Sequence, residues 1–131
     1  MKKFLTILAL ATTPLLAQQK EQALHLLYQN VDTTYFDAEG TRWLEFSMPI
    51  LRAYKVMDLI EADTTCKECI LVKGNKDYRE YLKLNYPGLK ATKKDKQVVG
   101  HLDAVVNGTL VMMWMHPDYA MGMMTAVQPQ E

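Results

Sequence analysis

The sequence has no excess of charge of either sign, no long apolar run and almost no cysteine, and each absence removes a class of function. Its 131 residues carry fifteen Lys and Arg against fifteen Asp and Glu. A nucleic-acid binder needs a strong basic excess to neutralise phosphates, so nucleic acid is not expected as a partner. The apolar stretch Phe4 to Ala11 is far shorter than the roughly 20 residues a helix needs to cross a bilayer core of about 30 Å. Two cysteines and three histidines, with no second CxxC and no HxxxH, do not make a zinc cage. There is no GxSxG, no HExxH and no glycine-rich phosphate loop. Internal repeats, coiled-coil heptads and low-complexity tracts are also missing.

What is present begins with an address. Lys2 and Lys3 precede an apolar run, Pro14 breaks it, and Ala17 offers a small residue for cleavage. This order reads as a secretory signal over residues 1–17, leaving 18–131 as a single domain in the periplasm or outside the cell. Leu15 is bulkier than usual at its position, which allows the cut to shift by a residue or two. A lipoprotein would carry Cys where Gln18 stands, so no membrane anchor is expected. Loss of Lys2 and Lys3 leaves thirteen basic and fifteen acidic side chains, a net charge of −2. The one basic cluster, Lys90, Lys93, Lys94 and Lys96, is interrupted by Asp95 and reads as a solvated loop.

Hydrophobic periodicity outlines the domain. Gln18 to Asn30 reads as a helix with Ala23, Leu26, Leu27 and Tyr28 on its apolar stripe. Val31 to Gly40 is polar and turn-like, with Tyr35 and Phe36 expected to pack inward. Thr41 to Phe46 alternates as a strand, with Leu44 and Phe46 on one face and Trp43 and Glu45 on the other. Ser47 then suits a helix cap, with Pro49 in the first turn. That helix runs to Met57 or Ile60, with Ile50, Leu51, Tyr54 and Met57 inward. Asp63-Thr64-Thr65 breaks the pattern. The continuous apolar run Cys69 to Val72 suits a central strand buried on both faces. After a turn at Gly74-Asn75, Asp77 to Tyr86 is a short helix with Tyr78, Tyr81 and Leu82 inward, stopped by Pro87-Gly88.

The C-terminal third carries the sharpest geometry. Asn107-Gly108 between two β-rich runs predicts a two-residue type I′ hairpin. Val106 then pairs with Thr109, Asp103 with Met112, and His101 with Trp114. One face carries Val98, Gly100, Leu102, Ala104, Val106, Val111, Met113 and Met115 and should lie under the helices. The other carries Val99, His101, Asp103, Val105, Leu110, Met112, Trp114 and His116. Pro117-Asp118 turns the chain, and Tyr119 to Val127 returns as a third strand that adds Tyr119, Met121 and Met123 to the mixed face. A short helix competes for that last segment, because Ala and Met favour helix. The fold class expected is α+β: a small, mostly antiparallel sheet with two or three helices on one face and a C-terminal three-stranded meander.

The run Thr41-Arg42-Trp43-Leu44-Glu45-Phe46-Ser47-Met48-Pro49-Ile50-Leu51 resembles the strand and Ser-capped helix that open a family of small exported bacterial proteins of unknown function. The strand at Ile70 to Val72, the helix around Tyr78 to Leu84 and the terminal meander follow in similar order. The resemblance covers most of the mature chain by pattern. It implies an exported Gram-negative protein and supplies no catalytic residue.

Three constellations are chemically suggestive. Cys66-Lys67-Glu68-Cys69 is a CxxC, but a strand follows it rather than the helix N-terminus that activates a redox thiol. A local disulfide fits an oxidising compartment; free thiols and thiol-disulfide activity are the alternatives. His101, Asp103 and His116 share the mixed face, where polar side chains on a half-exposed sheet are the simpler reading and a metal site the other. Met112, Met113, Met115, Met121, Met123 and Met124 gather around Trp114. Thioethers are soft ligands that select Cu(I), yet methionine also fills irregular cores and pliable interfaces. The first expectation is a non-enzymatic binding domain with no cofactor. It would use Met112, Trp114, His116, Tyr119, Met121, Met123, His101 and Asp103 to bind a protein, an apolar ligand or a second copy of itself. A Cu(I) carrier on the same face is the runner-up.

Overall fold

A computed structural model describes residues 19–62, 66 and 69–127 of the chain. Its clearest element is the Asn107-Gly108 hairpin. Asn107 and Gly108 have φ of 46° and 77°, the left-handed pair that a type I′ turn requires. The turn sets β4 (Gly100–Val106) against β5 (Thr109–Met115), with Val106 opposite Thr109, Asp103 opposite Met112 and His101 opposite Trp114, as the sequence predicts. β6 (Tyr119–Ala126) completes the meander as a strand, not the competing helix.

Before the meander come α1 (residues 19–29), β1 (Val31–Phe36), β2 (Arg42–Pro49), α2 (Ile50–Glu61), β3 (Cys69–Lys73), α3 (Asn75–Asn85) and α4 (Lys93–Gln97). All six strands join one antiparallel sheet in the order β1-β2-β6-β5-β4-β3. The fold is α+β. After β2 the chain must cross from one side of this sheet to the other. Twelve residues of α2 span about 18 Å, close to the roughly 19 Å of the four strand spacings between β2 and β3. The Lys73 ammonium meets the Glu61 carboxylate at 2.8 Å, which ties the end of that crossing helix to β3.

The principal core lies between the inner sheet face and α1 and α2. Phe46, Leu102, Val111, Met113, Met115 and Met124 project from the sheet into Ala23, Leu27, Ala53, Val56, Met57 and Ile60. A smaller cluster lies on the opposite face, where α3 covers Val72 and Val98 with Tyr78, Tyr81 and Leu82. Two helices therefore share the inner face as the sequence suggests, and α3 docks on the other.

Several sequence expectations are corrected. Residues 31–36 form a strand, and Phe36 is 68% exposed rather than packed inward. Its partner strand and the Asp37 turn explain this. Asp37 Oδ1 accepts from the backbone of Glu39 and Thr41 at 2.9 Å each, so the loop 37–41 is a hairpin connection. Ser47 is not a helix cap. It stays in β2, which runs on to Pro49, and its hydroxyl donates to Asp32 at 3.1 Å. Because the helix starts only at Ile50, its buried face is Ala53, Val56, Met57 and Ile60; Leu51 and Tyr54 face outward. Tyr28, expected on the apolar stripe of α1, is also exposed.

The run Cys69 to Val72 is an edge strand, with Ile70 at 41% exposure. Its continuous apolar character comes from contacts on two separate faces: Leu71 belongs to the main core and Val72 to the cluster under α3. Val98 joins that outer cluster and Val99 the main core, the reverse of the alternation extended from β4. β4 starts at Gly100, so the period-two rule does not reach them. The lysine-rich segment is not wholly loop. Thr92 and Asp95 form a reciprocal capping box that opens α4, with Asp95 N donating to Thr92 Oγ1 at 3.2 Å and Thr92 N to Asp95 Oδ2 at 2.8 Å. The expected export segment and the break at Asp63-Thr64-Thr65 lie outside the described residues.

Candidate functional site

The outer sheet face can be read in cross-strand rows. One row runs Thr33, Glu45, Met123, Met112, Asp103 and Ile70 across all six strands. The next runs Ser47, Met121, Trp114, His101 and Val72. Val105, Leu110 and Thr125 make a third on the turn side. The I′ turn fixes the β4–β5 part of this arrangement, and a register shift between Val31 and Thr33 brings Thr33 opposite Glu45. The eight residues singled out in the sequence do share a face or its border, but they divide into two environments.

His101 and Trp114 form the covered part, with half-buried Asp103 at its edge. The His101 ring lies 5.6 Å from the Tyr78 ring, 5.3 Å from Tyr81 and 5.1 Å from Trp114. It is 3% exposed, and its Nδ1 has no hydrogen-bond partner. Burial lowers its pKa below 6.5, against the opposing pull of the Asp103 carboxylate. A neutral imidazole enclosed by three aromatic rings is a packing element with one polar atom left over. The Tyr81 hydroxyl donates to Asp103 Oδ2 at 3.3 Å. Desolvation and the Asp103 charge push the Tyr81 phenol up to about 12, so it remains a donor.

Met112, Met121, Met123 and Tyr119 form the open part. The cluster beneath α3 extends only as far as Trp114. Beyond it, Met121 and Tyr119 are 41% and 43% exposed, and Met112, Met123 and Leu110 are half-buried. His116 lies at the border, buried and stacked on Tyr119 with ring centroids 4.9 Å apart and planes within 15°. Burial and then the nearby Lys94 charge lower its pKa. His116 is thus turned to Tyr119, whereas His101 is turned to Tyr78, Tyr81 and Trp114; their side chains serve separate aromatic contacts.

Two further carboxylates border this face, and the sequence reading missed both. Asp32 receives the Ser47 hydroxyl, and Asp37 Oδ2 receives the Trp43 indole N–H at 2.9 Å. That indole bond, with the backbone donors of the turn, lowers the Asp37 pKa. The alternation of Trp43, Glu45 and Ser47 in β2 was the available signal, because it places all three on this face beside β1.

Among the described residues, no group of three or more His, Cys, Asp or Glu side chains is arranged to hold a metal ion. Cys66 is disulfide-bonded to Cys69, with Cα atoms 5.7 Å apart. Cys69 opens β3 and the next described helix starts only at Asn75, so no described helix begins at the pair to favour a reactive thiolate. A separate cavity of about 970 Å³ lies at the far end of the sheet, lined by Tyr28, Val31, Glu39, Arg42, Leu44 and Met124 among others. No described helix is long and apolar enough to cross a membrane. Comparison with protein families, with curated proteins and with solved structures found no match to this chain.

Proposed function

We propose that this chain is an exported, non-enzymatic binding domain whose contact surface is the open part of the outer sheet face. The observation that carries the reading is the asymmetry of that face: α3 seals one side as far as Trp114, while Met112, Met121, Met123 and Tyr119 beside it have no described helix over them. Methionine side chains are unbranched and polarizable, and they adapt to a partner's shape. The amino-terminal signal pattern supports export, with residues 1–17 as leader and the rest folding in the periplasm or outside the cell. A photo-crosslinking residue at Met121 in living cells tests the contact surface, with Leu84, 83% exposed on α3, as control. The expected result is a discrete adduct at position 121 alone. Equal labelling from both positions, or none from 121, overturns the reading. Export is tested by the mature amino terminus: a chain starting near Gln18 in the envelope or medium is expected, and a full-length cytosolic chain contradicts it.

One observation favours a second reading. Met112 and Met123 are cross-strand partners, and Met121 lies opposite Trp114, so three thioethers share one face as a soft-metal carrier would need. Anaerobic Cu(I) titration against a competing chelator should then quench Trp114; failure to compete removes this reading.

A further inference from the structure

We infer that the occupant of the open face is a cationic amphipathic helix, held by its apolar stripe on the methionines and by basic side chains along both flanks. This rests on the reading of that face as a binding surface and adds the chemistry of the partner. One cross-strand row sets the width of the strip. Met123 and Met112 are adjacent, with Glu45 outside one and Asp103 outside the other. Glu45 and Asp103 are three strand spacings apart, about 14 Å. An α-helix with its side chains is about 10–12 Å across, so a helix lying along β5 and β6 covers the methionines and reaches both carboxylates.

Charge at the outward-facing strand positions has one sign. Glu45 and Asp103 are the charged residues among the outward-facing positions of β2 to β6, and both are acidic. Asp32 and Asp37 turn their carboxylates to the same side through Ser47 and Trp43. Among the described residues, neither Glu45 nor Asp103 is paired with a cation. Lys94 comes close to His116, at the end of the face beyond the methionine row. An adaptable apolar strip between two acidic margins matches a helix whose Leu or Phe stripe is bordered by Lys or Arg, and it repels an acidic helix of the same shape. A neutral apolar ligand would gain nothing from the two carboxylates.

The test uses the protein expressed from its full chain and three synthetic helical peptides with one leucine stripe, flanked by Lys, by Gln or by Glu. Methyl NMR of Met112, Met121 and Met123 locates the contact, and Trp114 fluorescence gives affinity. The Lys peptide should bind at least about tenfold more tightly than the Glu peptide at low salt, and the gap should shrink as salt screens the margins. The paired variant E45Q with D103N should keep the methionine methyl spectrum of the free protein and lose most of the preference. If Lys and Glu peptides shift these methyls with equal affinity, or the variant keeps the preference, the charge inference fails while the binding surface stands. If no peptide shifts them, or the Lys peptide binds elsewhere, both readings fail. Concentration-dependent self-association through the same methyls points to a second copy of the chain and overturns the helix assignment.

Discussion

The two faces of this sheet are built from similar residues and used differently. Both carry methionines on β5 and β6: Met113, Met115 and Met124 inward, Met112, Met121 and Met123 outward. Inside, α1 and α2 reduce the methionines to complete burial. Outside, α3 is a short helix held by a small cluster that extends only as far as Trp114. Composition therefore does not tell a core methionine from a surface one. The parity of its position and the reach of the covering helix do. A single-residue register slip would exchange the two sets, so the I′ turn at Asn107-Gly108 decides which methionines face the core and which face outward.

The largest effects are expected inside. Phe46, fully enclosed by the core, should cost about 3–5 kcal/mol when truncated to alanine. Gly122 is the complementary case. A Cβ there would collide with the Met112 carbonyl oxygen and the Phe46 ring, so Gly122→Ala should cost about 3 kcal/mol or more through overpacking against backbone. Urea unfolding midpoints at constant m measure both. Because the two sites touch, the double variant should fall short of the sum. Additive losses would show that the glycine is needed for a reason other than the close approach of Phe46.

Intermediate effects belong to the covered half of the outer face. Tyr78 is 2% exposed on the buried side of α3, so Tyr78→Ala should detach the helix. Hydrogen exchange should rise across residues 75–85 while the inner-face strands stay protected. Uniform loss of protection would mean that α3 and the main core unfold as one unit. His101 adds a pH dependence to the same docking. Its pKa is lowered in the folded state by burial, so folding favours the neutral ring. Stability is complete above the ordinary value near 6.5, falls as pH drops from there toward the lowered folded value, and levels off below it. His101→Phe keeps the ring and removes the titration, and should flatten the stability profile over that window. An unchanged profile assigns the acid sensitivity to another group, with His116 the next candidate.

Much of this arrangement is legible in the sequence where local chemistry dominates. Asn107-Gly108 and period-two alternation yield every cross-strand pair of the last hairpin, including His101 with Trp114. They also place the mixed face correctly from His101 onward, while Val98 and Val99, before β4 begins, are exchanged. The misses arise where a long-range partner decides. Val31 to Phe36 is a strand because β2 pairs with it, and its sequence VDTTYF alone has too little apolar alternation to show it. Ser47 has the composition of a cap, but pairing with β6 opposite Met121 holds it in the strand. The apolar run at Cys69 suggests a central strand because period says nothing about which helix lies on which side. The division of the candidate site into sealed and open halves follows from the length and docking of α3, which no residue on the face encodes.

The smallest expected effect on stability is the one that separates the two faces most sharply. Met121 is 41% exposed and lies beside Trp114 with no described helix above it. Met121→Ser should change stability by less than about 0.5 kcal/mol, as surface substitutions usually do. Met113→Ser, one strand away but facing the core, should cost several times more, because it removes core packing and leaves a buried hydroxyl to be satisfied. Binding should respond in the reverse order, with the Lys-flanked peptide losing affinity to Met121→Ser in proportion to the apolar contact removed. A Met121→Ser chain that unfolds as easily as Met113→Ser would mean that the outer methionines hold the sheet together. The open half would then be core awaiting a cover rather than surface awaiting a partner.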